Sequence, residues 1–150
     1  MRSILTLDLG TDTGWAILHD GKTVSGSMNF KPGRFEGGGM RFLRFRREFL
    51  DKFRKVHEVY FEEVHRHTGT DAAHVYGGML AILTAWCEEN TIPYKGVGVG
   101  VLKKHITGKG NAGKGAVIAA VQKLGFKPKD DNEADALAIL DYVRKTRGQS

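Results

Sequence analysis

The first apolar run, Arg2 to Leu7, is rich in β-forming residues and stops at a carboxylate, Asp8. A polar, glycine-bearing turn (LGTDTG) follows, and Gly14 to His19 reads as a second strand. Asp20-Gly21 is a two-residue hairpin signal, and Lys22 to Phe30 makes a third strand. The chain therefore opens as an antiparallel meander. Residues 31–39 (KPGRFEGGG) form a glycine-rich loop. From Met40 to Val56, Phe42, Phe45, Phe49 and Phe53 recur three and four residues apart, which predicts a helix with an aromatic face turned to the core.

Glu58 to Val64 (EVYFEEV) reads as a fourth strand, Asp71 to Asn90 as a helix, and Pro93 to Val99 as a fifth strand interrupted by glycines. A short helix over Leu102–Ile106, a glycine-lysine loop and a helix over Ala112–Leu124 follow, with Gly125 as its cap. The last helix spans Asn132 to Arg144, and Asp130, Asp131 or Asn132 can cap it. Helices between the later strands predict a parallel part of the sheet, covered on both faces. The order defines one α/β domain over residues 1–150, with a mixed five-stranded sheet.

Charge changes the picture. The chain carries 23 Lys and Arg against 17 acids, a net charge of +6. From Thr91 to Lys129 there is no acid but there are eight lysines, and Arg41 to Lys55 holds seven basic residues against two acids. Such surfaces attract polyanions. The single cysteine, Cys87, beside Trp86 in an apolar pattern, reads as a packed thiol, and it excludes disulfides and cysteine-only zinc sites within one chain. With no secretory signal and no run of membrane-spanning length, the expected setting is the cytoplasm, away from membranes.

Against this basic background a few acids sit in apolar surroundings. Asp8 closes an apolar strand, where an unpartnered charge is costly; the bland alternative is a turn-forming Asp. Two-residue alternation puts Glu62 on the side of Tyr60 and Val64, and Glu63 on the side of Val59 and Phe61. In DDNEADALAILDYV, Asp131 and Asp135 are four apart and Asn132 and Asp135 three apart, so both spacings share one helix face. Asp135 also reads as a first-turn acid favoured by the helix dipole, and Glu133, on another face, as a helix-start residue. Acids brought together repel one another, and a divalent cation relieves the repulsion; an oxygen-rich set suits Mg²⁺ or Mn²⁺. GKGNAGKG lacks the GK[ST] ending of a nucleotide-binding loop. Lys114, at a helix start that disfavours a cation, is accounted for by a phosphate near the acids, while Lys103 and Lys109 suit phosphates farther out. Phe35, between Arg34 and the glycine run, either stacks on an opened nucleic acid or folds back on the following helix.

These motifs together resemble the RuvC family of Holliday-junction resolvases, within the RNase H-like superfamily, and look closest to its compact bacteriophage versions. The residues are Asp8-Leu9-Gly10 with Thr13-Gly14-Trp15-Ala16 behind them, Glu62 in YFEEV, Lys103, the stretch Gly108-Lys109-Gly110-Asn111-Ala112-Gly113-Lys114, and Asn132-Glu133-Ala134-Asp135-Ala136-Leu137-Ala138. The match runs in order from Ile4 to about Tyr142. The resemblance implies an RNase H-like fold with the first and fourth strands side by side. It also implies two Mg²⁺ ions per site held by Asp8, Glu62, Asn132 and Asp135, with Lys114 in support. It further implies a homodimer acting on four-way DNA and leaving 5′-phosphates. One position departs from the family: the third ligand is usually Asp or His, and here it is Asn132, so Asn132, Asp131 or, less readily, Glu133 completes the set. Two other classes compete with the nuclease. One is a nucleic-acid-binding module with a degenerate site, for which Asn132 speaks. The other is a sugar-kinase-type phosphotransferase, whose first phosphate loop Asp8-Leu9-Gly10-Thr11 resembles, but 150 residues is short for its two lobes.

Overall fold

The computed structural model describes residues 2–147. Strands β1 (Ile4–Asp8), β2 (Asp12–His19) and β3 (Lys22–Asn29) form the meander. Its second turn is Asp20-Gly21, with φ of 50° and 76°, the left-handed pair that a tight hairpin requires and that Gly adopts without strain. Strands β4 (Glu58–Glu63) and β5 (Tyr94–Gly98) complete a five-stranded sheet in the order β3-β2-β1-β4-β5. β1, β4 and β5 run parallel, and β2 is antiparallel to both neighbours. This is the mixed sheet of an RNase H-like α/β fold, with the first and fourth strands adjacent.

Alternation along β1 assigns its residues to two cores. Leu5 and Leu7, with Val59 and Phe61 of β4, face α1 (Met40–Arg44), the turns that extend it, and α2 (Thr70–Glu89), where Phe45, Phe49, Met79, Leu83 and Trp86 fill the layer. Ile4, with Ala16, Leu18 and Val97, faces α3 (Val99–Thr107), α4 (Lys114–Lys123) and α5 (Asp131–Thr146). Asp8 leaves the sheet on this second side, in step with Ile4 and Thr6. Cys87 is fully buried in the first core, and burial pushes its thiol up to about 12, so it is a packed, inert group.

Several boundaries differ from the sequence reading. The predicted Met40–Val56 helix is α-helical only to Arg44; Phe45–Phe49 is π-helical and Leu50–Phe53 is a 3₁₀ turn. The Phe45 and Phe49 rings stack at a centroid distance of 5.9 Å, and the Phe49 and Phe53 rings meet tilted at 5.1 Å. β2 starts at Asp12, two residues early, because Asp12 pairs with Asn29 at the sheet end. α3 starts at Val99, directly after β5, rather than at Leu102. α4 starts at Lys114, because Ala112 belongs to the preceding turn. Among the described residues no helix is long and apolar enough to cross a membrane.

Candidate metal centre

Backbone pairing between β1 and β4 ends at Leu7–Phe61. The next residues, Asp8 and Glu62, therefore stand side by side at the carboxyl ends of parallel strands. This is where open α/β sheets bind ligands. α5 supplies Asp135, which lies one turn in, because the helix starts at Asp131 and its first-turn acids are Asp131 and Glu133, not Asp135 as the sequence reading had it. Oxygen atoms of Asp8, Glu62 and Asp135 all lie within 4.8 Å of one another.

The start of α5 is held over the sheet by five features. Asp130 caps it, accepting the Glu133 backbone N–H at 2.8 Å, which decides among the three candidate caps. Glu133, itself buried, accepts the Lys129 N–H at 2.9 Å and the Ser25 hydroxyl at 2.7 Å. Both oxygens of its carboxylate are thus engaged at the helix start, in keeping with the sequence reading of that residue. Ser27 donates to Asp130 at 2.7 Å, and the buried Thr6 hydroxyl donates to the Ala136 carbonyl at 2.7 Å. Finally, Gly14, the β2 partner of Asp8, lies so close to the Asn132 carbonyl that no larger residue fits. Sequence reasoning assigned no role to Thr6, Ser25 or Ser27. Gly14 carried a signal as the one glycine within the second strand.

Electrostatics set the chemistry. Burial, then the charges of Glu62 and Asp135, hold the Asp8 carboxyl well above the usual carboxylate range. Burial and Asp135 push Glu62 up to about 7, against the opposing pull of Lys103. Burial raises Asp135 to about 6, with Asp131 adding to the rise and Lys103 and Lys114 working against it. The closeness of the Asp8 and Asp135 carboxyls raises the first and works against the rise of the second, so the two titrate as a pair. Near neutral pH the trio is thus a set of closely packed oxygens short of cations. Its donors are all hard and all acidic, and they fit a divalent ion such as Mg²⁺ or Mn²⁺.

The basic residues divide into two groups. Lys103 lies against the acids, not farther out: with Glu62, Leu102, Ile106, Val117, Asp135 and Ala138 it lines a small crevice between α3, α4 and the centre. Lys103 sits inside α3, next to the buried Leu102. Lys114 forms an ion pair with Asp131 at 3.2 Å, and its charge reaches Asp135. Asp131 acts electrostatically on both Asp8 and Asp135, whereas the Asn132 backbone is wedged against Gly14. Lys109 is exposed in the loop between α3 and α4 and is not among the charges that act on the trio. Arg34 and Phe35 are also outside it, but their loop is tied to the turn after Asp8: Phe30 N–H donates to the Thr11 carbonyl and Arg41 to the Thr11 hydroxyl, both at 2.8 Å.

No family model and no curated protein sequence matches this chain. Solved structures do. T. thermophilus RuvC in complex with a Holliday junction substrate is similar at 25% identity and a TM-score of 0.76, over 99% of this chain and 98% of that one. A second T. thermophilus RuvC structure is similar at 23% identity and a TM-score of 0.74, again over 99% and 98%. The yeast mitochondrial Holliday junction resolvase Ydc2 shares the fold at 11% identity and a TM-score of 0.62, over 97% of this chain and 79% of its own.

Proposed function

We propose that this chain, whose fold is similar over its whole length to that of T. thermophilus RuvC, is a metal-dependent endonuclease of the RuvC type that cuts branched DNA, four-way junctions above all. The observation that carries the reading is the convergence of Asp8, Glu62 and Asp135 within 4.8 Å at the carboxyl ends of β1 and β4. Asp8, Glu62 and Asp135, with Asp131 or Asn132, would hold two Mg²⁺ or Mn²⁺ ions. When bound, such ions supply Lewis-acid activation of water and charge stabilisation for an in-line displacement at phosphorus.

The protein's own groups do the rest. α5 is fixed by its cap and by Thr6, so the carboxylates are pre-positioned and need no rearrangement when a phosphodiester arrives. Lys103 and Lys114 offset the negative charge of the centre and meet the phosphate backbone, with Lys109 and Arg34 farther along it. A net charge of +6 draws a polyanion toward an acidic centre that would otherwise repel it. A homodimer would place two such sites on a two-fold substrate.

One observation favours a second reading. Asn132 stands where a charged ligand is usual, as in a DNA-binding module with a degenerate site. Incubation of the protein with a labelled four-way junction in Mg²⁺ or Mn²⁺ separates the two. The nuclease reading predicts paired cuts near the branch point; binding without cutting in either metal supports the degenerate module instead.

A further inference from the structure

Phe35 is 94% exposed, the most exposed of the large apolar side chains among the described residues, while the other seven phenylalanines are buried or half-buried. Holding a phenyl ring in water forgoes roughly 1.5–3 kcal/mol of burial. The loop around it is ordered by specific contacts. Glu36 N–H donates to the Gly33 carbonyl at 3.1 Å, closing a turn with Arg34 and Phe35 at its corners. The Glu36 carboxylate accepts the Gly33 N–H at 2.6 Å and pairs with Arg44, which holds its carboxyl below the usual range. The base of the loop is tied down where Lys31 N–H donates to Asn29 and Asn29 donates to Asp12. The turn therefore presents Phe35 outward, and the Arg34 guanidinium lies 5.5 Å from the ring centroid.

Its place in the fold says what the ring could meet. β3 runs in the same direction as β1, so the loop emerges at the sheet edge that carries Asp8. Two strand spacings, about 10 Å, separate β3 from β1. An exposed ring beside a guanidinium suits a nucleobase with its phosphate. Bases inside a duplex offer no free face. Only an unpaired or unstacked base does, as at a branch point.

We propose that the Arg34–Phe35 turn is a stacking subsite for an unstacked nucleobase at the branch point of DNA held at the acidic centre; this rests on the branched-DNA reading above. The test uses Asp8→Asn protein, to prevent cutting, with a four-way junction carrying 2-aminopurine either at the branch point or inside an arm. The parent protein is expected to change the fluorescence of the branch-point base and not that of the arm base. Adding Phe35→Ala is expected to remove that change and to lower the junction-to-duplex affinity ratio about tenfold, the scale of one stacked base. Phe35→Trp is expected to restore both. If the parent binds junctions while Phe35→Ala leaves fluorescence and ratio unchanged, the subsite is overturned and the nuclease reading stands. If the parent binds no branched DNA, both fall. If Phe35→Ala instead converts a dimer to a monomer in sedimentation, the ring is a subunit contact and the subsite is overturned.

Discussion

A Cβ placed on Gly14 would lie 1.8 Å from the carbonyl oxygen of Asn132 and 2.2 Å from its carbonyl carbon. The obstacle is backbone, not a side chain that can swing away. The absence of a side chain at this one β2 position is what lets α5 start beside Asp8. Gly14→Ala is therefore expected to push the first turn of α5 off the sheet. The expected cost is at least the ~1–3 kcal/mol of ordinary overpacking, read as a lower melting temperature. Cleavage is expected to fall further than stability alone explains, because Asp135 moves with the helix. A variant with wild-type melting and activity would contradict this role.

The raised carboxyls make stability depend on pH. Asp8, Glu62 and Asp135 all hold protons more tightly when folded than when unfolded. Their contribution is fully present below the unfolded values near 4 and is lost as pH rises through about 6 for Asp135 and about 7 for Glu62. In EDTA the melting temperature is expected to fall between pH 5 and pH 8. Mg²⁺ or Mn²⁺ is expected to reverse that fall, most strongly at the upper end, because ligands must be deprotonated to bind. Lys103→Met, which removes a charge opposing both shifts, is expected to move the acid limb of the cleavage profile to higher pH.

The fourth ligand is open to a direct comparison. Asp131 acts on Asp8 and Asp135 and is held by Lys114 at 3.2 Å, while Asn132 brings no charge. Asp131→Asn is expected to weaken Mn²⁺ binding, followed by calorimetry or paramagnetic resonance, more than Asn132→Ala does. The reverse order would return the role to Asn132.

Much of this centre was legible in the sequence, and for a physical reason. Strand alternation is local, so Ile4-Thr6-Asp8 and Tyr60-Glu62 declare their faces without knowledge of the fold. The three- and four-residue spacings of Asp131, Asn132 and Asp135 do the same for a helix. What was not legible depends on contacts distant in sequence. The closeness of Lys103 to Glu62 and Asp135 depends on how α3 packs against β4 and α5, and the start of α3 at Val99 was obscured by the glycines at 96, 98 and 100. The tie from Thr6 to Ala136 spans 130 residues and has no periodic signature. The π-helical stretch at Phe45–Phe49 is decided by ring packing against Phe30 and Trp15, not by intrinsic preference.

The central claim is that Asp8 anchors a metal-dependent nuclease centre. Its most direct test compares wild type with Asp8→Asn on labelled four-way, Y-shaped, flap and linear DNAs, with Mg²⁺, Mn²⁺ or EDTA. Wild type is expected to cut branched substrates only with metal. Asp8→Asn is expected to stay folded and to lose more than about 100-fold in rate, beyond the upper end seen when groups merely supporting metal ligands are removed. Metal-dependent cutting by Asp8→Asn at the wild-type rate would contradict the account, as would a wild-type protein that cuts none of these DNAs in either metal.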